Sequence, residues 1–376
     1  MKRILFVNHV SQIGGGSYCL LNVLKKLDRN SILPIVLLSK NGPLVDEIEK
    51  LGIPVYYNDK VSMMPLNKHL SLCNFIKEVA HALISMISFY RTVRHIDCDV
   101  VYINSMMLYH YLIPSKVLRK KTITHIRENW PIGNYVIQRS FIETSLRLFS
   151  DHILAINKYS AQMFKHINSS RLSVVYDWID MDARYVYYPL DKIFNEDTHN
   201  LKVFLYTGGP NPIKGPKEVI TVFSKVMRNA SYRLLVIGSL DEFLKQDKSI
   251  ADMIISDKRI KCIPGLYEIT HLIQQSYCVL SFFTRPHANL TLAESVILQT
   301  PMVAATTPEA LEYSNNGQLA ILFPFGDLNS YVAKLSDIDN LVARTKIRLS
   351  EDSSVIKELF DADRNSKIIN NVLKSM

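Results

Sequence analysis

No apolar run in this chain reaches the ~18 residues that a membrane-spanning helix needs, which excludes a helical membrane span. Cysteine is scarce and scattered. The five thiols, Cys19, Cys73, Cys98, Cys262 and Cys278, are odd in number and include no C-x-x-C pair. That excludes a disulfide framework and a metal-ligand spacing, and points to reduced thiols in a cytosol. Met1-Lys2-Arg3 runs into the apolar Ile4-Leu5-Phe6-Val7 and then at once into Asn8-His9, too short and too quickly polar for a signal peptide. Dense basic clusters are missing as well. Lys and Arg are spread along the chain, with only short groups such as Arg119-Lys120-Lys121, which argues against a nucleic-acid stripe. Glycines gather once, at Gly14-Gly15-Gly16, and nowhere form the G-x-G-x-x-G of a dinucleotide fingerprint.

What is present is apolar, basic and long. A chain of 376 residues exceeds what one hydrophobic core serves, so two domains are expected. Hydrophobic residues make up 48% and the mean hydropathy is +0.05, ample for sizeable cores. Forty-four Lys and Arg against 35 Asp and Glu leave a net charge of +9 and a pI near 9.1. This implies an anionic partner: nucleic acid, a phosphorylated metabolite or an acidic membrane surface.

Strand and helix patterns alternate through the first half: a strand at 4–7, a Gly-rich turn at 12–18 opening a helix to about Leu27, a strand at 34–39, a helix at 43–51, a strand at 55–57. Such repetition predicts α/β architecture with parallel sheets flanked by helices. The Gly-rich turn either approaches a phosphate or sugar or serves a tight βα turn conformationally. A helical pattern at 70–95 carries Phe75, Val79, Leu83, Ile84, Ile87 and Tyr90 in one stripe, with Lys77, Arg91 and Arg94 near its flanks. It docks on its own sheet or lies on a membrane with its cations toward lipid phosphates. Asp97-Cys98-Asp99 precedes a strand at 100–104 and either binds a metal with a diphosphate or is solvated where that strand begins. The strand at 121–126 ends in Thr124-His125-Ile126-Arg127-Glu128, which brings an acid-base group, an anion clamp and a carboxylate to one sheet edge. The plainer alternative is a satisfied core histidine beside an Arg127–Glu128 surface pair.

A polar stretch at 182–200 reads as a linker, after which the βα pattern restarts. A strand at 202–207 leads into Gly208-Gly209-Pro210-Asn211-Pro212-Ile213-Lys214-Gly215, where Lys214 either adds a point charge to bound phosphates or is a solvated turn lysine. The chain is organised around 285–304, where an apolar strand, a loop, a helix start and Glu294 fall together. Unpaired amides at 288–291 suit a diphosphate and Glu294 suits the hydroxyls of a ribose. Its plainer alternative is an ordinary strand-loop-helix-strand unit with a capping glutamate.

Two α/β domains joined near residue 195, the Gly-rich first turn, G-G-x-x-P-x-K-G, L-L-V-I-G, the Glu294 helix and Q-T-P-M-V-A-A together resemble the retaining glycosyltransferases of family 4. The resemblance covers nearly the whole chain. It is strongest from 204 to 326, where Lys214-Gly215, Glu294, Thr300-Pro301, Glu309 and Gly326-Asp327 match the family's order and spacing. Gly14 to Ser17 and the His-Ile-Arg-Glu beginning at His125 look like those of bacterial members that build capsule or O-antigen polysaccharide.

The resemblance implies the GT-B fold, two Rossmann-like parallel-sheet domains facing a cleft. Residues 1–195 would form the acceptor side, with a C-terminal helix at 356–376 packing back on it, and residues 196–355 the donor side. It implies a metal-independent, retaining hexosyltransferase with no cofactor. Its partners would be a nucleotide sugar and a glycan or polyprenyl-linked acceptor, with no nucleic acid. Its place would be cytoplasmic, at the cytoplasmic face of the inner membrane. By the same resemblance Lys214 neutralises the diphosphate, the amides of Asn289, Leu290 and Thr291 hold its oxygens, Glu294 binds the ribose and Leu266 seats the base. His125 lies beside the donor sugar, Gly15 approaches the phosphate or acceptor, and Gly16, Ser17, Arg127 and Glu128 line the acceptor side or cleft; Arg285 and His287 join them by adjacency alone, as substitutes for the residues the family has there. Two positions depart from the family: its glutamate eight residues before Glu294 is Pro286 here, and its phosphate arginine is Gly209. These departures keep open an alternative, a non-catalytic nucleotide-sugar-binding subunit of a larger assembly.

Overall fold

The computed structural model describes residues 1–64, 72–128, 136–179, 188–265, 269–285 and 288–376. They form two compact units, Met1–Trp178 with Asp361–Met376, and Ile179–Phe360.

Short Val/Ile/Leu-rich runs supply the strands, as expected where both sheet faces are covered and no polar side is needed. In the first unit these are β1 (Lys2–Val7), β2 (Ile32–Leu38), β3 (Val55–Tyr57), β4 (Val100–Ile103), β5 (Lys121–Ile126), β6 (His152–Ala155) and β7 (Leu172–Val174). They lie in the order β3-β2-β1-β4-β5-β6-β7, every neighbouring pair parallel. Alternation along β1 splits its side chains between two cores. Ile4 and Phe6 pack with Leu20, Leu24 and Trp178, whereas Leu5 and Val7 pack with Phe89, Val93 and Ile142.

The second unit holds β8 (Lys202–Tyr206), β9 (Tyr232–Ile237), β10 (Ile260–Ile263), β11 (Cys278–Leu280), β12 (Met302–Thr306) and β13 (Ile321–Pro324), in the parallel order β10-β9-β8-β11-β12-β13. Each sheet reverses its strand order once, between β1 and β4 in the first and between β8 and β11 in the second. At such switch points the connecting loops leave in opposite directions and open a crevice at the carboxyl edge.

The crossing between units falls at Trp178 rather than near residue 195. The polar stretch that reads as a linker contains the helix Leu190–Phe194, which belongs to the second unit. Trp178 stays with the first unit because its side chain is 3% exposed in that core. The chain crosses back after Phe360. The helix Ala362–Ser375 places Ile369, Val372 and Leu373 in the core with Leu20 and Val175, a spacing that makes one apolar face. Asn370 fixes its register, its Oδ1 accepting from the Asp28 amide at 2.9 Å. Among the described residues no helix is long and apolar enough to cross a membrane.

Candidate functional site

The loop leaving β8 is shaped by space as much as by bonding. Tyr206, buried at the end of β8, donates its hydroxyl toward the carbonyls of Gly209 at 3.3 Å and Lys214 at 3.2 Å, drawing the two arms of the loop together. A Cβ at Gly208 would lie 2.2 Å from the Tyr206 hydroxyl and 2.7 Å from Cβ of Lys214, so only glycine fits. Gly215 has φ +68°, and a Cβ there would meet the Phe282 carbonyl oxygen at 1.8 Å. The loop therefore presses against the exit of β11, and Thr284 stitches the contact. Its amide donates to Ile213 O at 3.0 Å and its hydroxyl to Pro212 O at 3.0 Å.

Lys214 is thereby fixed, half-buried, at the β8–β11 switch point, its Nζ 4.9 Å from the centre of the Phe283 ring. It forms no ion pair among the described residues. Burial draws its ammonium down to about 8, and the nearby Glu294 carboxylate pulls the other way.

Across the same switch point the helix Leu290–Ile297 begins without a cap. Asn289 makes no side-chain capping bond and the first turn carries no acid. Among the described residues nothing accepts from the amides of Asn289, Leu290 or Thr291, which sit at the positive end of the helix dipole. Gln299 at φ +57° and Pro301 end the helix. One turn in, Glu294 is 8% exposed. Burial lifts its carboxyl to about 7, against a hydrogen bond from Thr291 and the attraction of Lys214. An ammonium, a row of unpaired amides and a carboxylate thus converge at one sheet edge. The cation and amides suit two phosphates, and the carboxylate suits paired hydroxyls.

The first unit carries a second polar constellation at its own switch point. Gly14, Gly15 and Gly16 have ordinary negative-φ or extended backbone, and a Cβ on any of them would meet open space, so neither conformation nor packing requires glycine there. Behind them Asn104 Nδ2 donates to Gly16 O at 3.3 Å and to Asn8 Oδ1 at 3.1 Å, while Asn8 Nδ2 donates to the Ser17 hydroxyl at 3.4 Å. Arg127 continues the chain, donating from Nε to Asn104 Oδ1 at 3.0 Å and pairing through Nη1 with Asp177. Its side chain is 6% exposed, and Nη2 has no partner among the described residues.

Glu128 is not a surface partner of the Arg127 guanidinium. It accepts from the Ser105 hydroxyl, from the Met106 amide at 3.1 Å and from the Arg127 amide at 3.0 Å, and burial raises its pKa. His125 is corrected more sharply. The expected place was beside a donor sugar, but the ring is 0% exposed and its Nδ1 meets the Tyr102 hydroxyl of β4 inside the sheet. Burial pushes its pKa well below the usual value, so it stays neutral. Its side chain falls on the covered face of β5, whereas Arg127 lies past the strand's end and joins the network at the edge.

Of the remaining expected site residues, Arg285 is exposed in the loop after Phe283, and Leu266 and His287, like Pro286, lie outside the described residues. The Asp97-Cys98-Asp99 carboxylates both engage Arg3 at the opposite, amino edge of the sheet, Asp99 at 3.1 Å. Sequence reasoning passed over Asn8, Asp177, Tyr206 and Thr284. Asn8 and Tyr206 had a signal, a polar group at a strand exit beside a glycine loop.

No protein-family model matches this chain, and no curated protein matches it by sequence. Solved structures match it by shape. HepE of Anabaena, in complex with UDP-glucose, superposes with a TM-score of 0.78 over 100% of both chains at 18% identity. A glycosyltransferase from Rickettsia africae gives 0.74 over 100% of this chain and 98% of its own at 15% identity. Sucrose-phosphate synthase from Thermosynechococcus elongatus gives 0.71 over 100% and 99% at 10% identity. The fold is GT-B. In this GT-B chain the two switch points, one per unit, carry Lys214 with Glu294 and the glycine turn with Arg127.

Proposed function

We propose that the chain is a retaining glycosyltransferase that moves a hexose from a uridine diphosphate donor to a glycan or lipid-linked acceptor in surface polysaccharide assembly, of the capsule or O-antigen kind. One observation carries this reading: Lys214 and Glu294 flank an uncapped helix start at the switch point of a unit whose fold is shared with solved glycosyltransferases. Lys214 and the amides of Asn289 to Thr291 take the diphosphate, and Glu294 takes the ribose hydroxyls. The UDP-glucose bound by HepE favours uridine.

Glycosyl transfer develops negative charge on the departing diphosphate, so fixed positive groups there lower the barrier. The acceptor hydroxyl attacks C1 from the face that the diphosphate leaves. The bond from C1 to the phosphate oxygen breaks, the new C1–O bond forms, and the hydroxyl proton passes to the leaving phosphate. The ammonium and amide dipoles carry the charge that a metal would otherwise meet.

An exposed apolar helix face supports a place at the membrane surface, which would suit a lipid-linked acceptor. The helix Leu72–Val93 exposes Ile76, Val79, Leu83, Ile84 and Ile87 at 39% to 59%, beside Lys77 and Arg91. An apolar stripe edged by cations suits the cytoplasmic face of an anionic inner membrane.

Calorimetric titration of UDP, GDP and their sugars, followed by a product assay, tests the reading. A uridine nucleotide should bind, and Lys214→Ala should weaken it by about 10- to 100-fold, the loss of one charge-assisted contact to phosphate. Parent-like affinity in that variant sinks the site assignment. Gly209, where the resemblance expects a phosphate arginine, favours one second reading, a non-catalytic nucleotide-sugar-binding subunit. Tight binding without turnover on any acceptor would support it.

A further inference from the structure

In the first unit, past the carboxyl edge of β5, lies a pocket of about 300 Å³ lined by Glu128, Arg139, Tyr159, Gln162, Met163 and Lys165. That volume equals roughly ten waters' share of the liquid, the size class of one sugar ring with a substituent. Its walls come from the helices Val136–Phe149 and Lys158–Gln162 and the segment that follows the latter. Met163 is buried and Tyr159 half-buried, which gives the pocket an apolar side. Glu128 is its one acid among these lining residues. A carboxylate offers about four lone-pair sites, and the Ser105 hydroxyl and the amides of Met106 and Arg127 occupy three. One site remains for a hydroxyl in the pocket.

Two cations, Arg139 and Lys165, line this one pocket, and neither forms an ion pair among the described residues. A neutral sugar would leave both without a counter-charge. We propose that this pocket seats the acceptor, and that the acceptor is an acidic saccharide: one hydroxyl bonds to Glu128 while a phosphate or carboxylate substituent is held by Arg139 and Lys165. The acceptor role rests on the glycosyltransferase reading, whereas the preference for an acidic sugar rests on the pocket. Charge then selects between acceptors, because a neutral analogue forgoes both charge-assisted contacts.

The full-length protein, titrated with and without saturating UDP, provides the test. The probes are methyl glucuronide and glucose 6-phosphate as acidic saccharides and methyl glucoside as the neutral one, each with its galacto and manno isomers. At least one acidic probe should bind about tenfold or more tightly than the neutral methyl glycoside of the same ring configuration, and added salt should narrow the gap. The stronger of the two acidic classes identifies the substituent. Arg139→Ala and Lys165→Ala should each reduce that preference about tenfold, and Arg139→Lys should restore part of it. Equal affinity for acidic and neutral probes, absence of binding by every acidic probe, or an unchanged preference in the Arg139→Ala, Lys165→Ala double variant overturns the proposal. UDP binding is read separately: its absence sinks the glycosyltransferase reading, while the acidic-to-neutral ratio still decides the pocket's chemistry.

Discussion

Replacing Glu294 by Gln should stabilise the second unit while impairing its ligand binding, and the two effects can be separated by pH. The carboxyl titrates at 4.5 in an ordinary setting and at about 7 in this fold, raised chiefly by burial. A group whose folded pKa is raised contributes stability that is fully present below the unfolded value and lost as pH rises through the folded one. Above pH 7 the parent therefore carries a penalty of (7 − 4.5) × 1.36, or about 3 kcal/mol, which Gln lacks. Gln also gives up the attraction to Lys214, so about 3 kcal/mol is a ceiling. At about pH 8 the variant should unfold as much as 6–12 °C later, and at about pH 4, where the parent carboxyl is protonated folded or unfolded, the gain should vanish. Calorimetric unfolding without nucleotide at both pH values provides the measurement, and a parallel titration should show weaker binding of the proposed nucleotide donor. A gain of equal size at both pH values, or a loss at pH 8, refutes the assignment of Glu294 as a carboxylate strained for ligand binding.

Gly215→Ala puts a Cβ 1.8 Å from the Phe282 carbonyl and holds alanine at φ +68°, which should cost more than about 2 kcal/mol in a urea titration; an unchanged midpoint would show that the loop does not press on β11. Asp177→Ala strands the buried Arg127 guanidinium and should destabilise the first unit by about 3–5 kcal/mol, whereas parent-like stability would mean the pair is not enclosed. The paired substitution Ile84→Glu, Ile87→Glu should abolish sedimentation with phosphatidylglycerol vesicles while shifting the folding midpoint by no more than about 1 kcal/mol, since both side chains are exposed. Unaltered sedimentation would remove the helix Leu72–Val93 from the membrane contact.

Much of the fold was legible because buried parallel strands are short continuous apolar runs closed by glycine or asparagine. The runs ending in Val7 and Ile103 met that description, and their bounds moved by a residue or two. The helices Leu240–Gln246 and Ile338–Asp352 escaped. The first announces itself through a capping box, Ser239 with Glu242, that periodicity over so few residues does not reveal. The second is polar on most of its surface and holds to the core through Ile338, Val342 and Leu349.

In the candidate site, Lys214 and Glu294 were visible because loop, helix start and carboxylate lie close in sequence. The environment of His125 was not visible. Whether a residue at a strand's carboxyl end faces inward depends on strand register and on Tyr102 in the neighbouring strand, neither of which local sequence states. Arg127 looked like a partner for Glu128 next door, whereas its carboxylate partner, Asp177, comes from fifty residues further along.

The return of Ala362–Ser375 to the first unit imposes an order of assembly during synthesis. Its apolar face covers Leu20 and Val175, yet it is translated only after the intervening second unit. With the 182 residues of Ile179–Phe360 separating the two pieces, a ribosome adding 5–20 residues per second leaves that groove uncovered for roughly ten to forty seconds. The half of the molecule made first is the half completed later, and a chaperone that shields the groove during that interval would act on yield rather than on the finished protein.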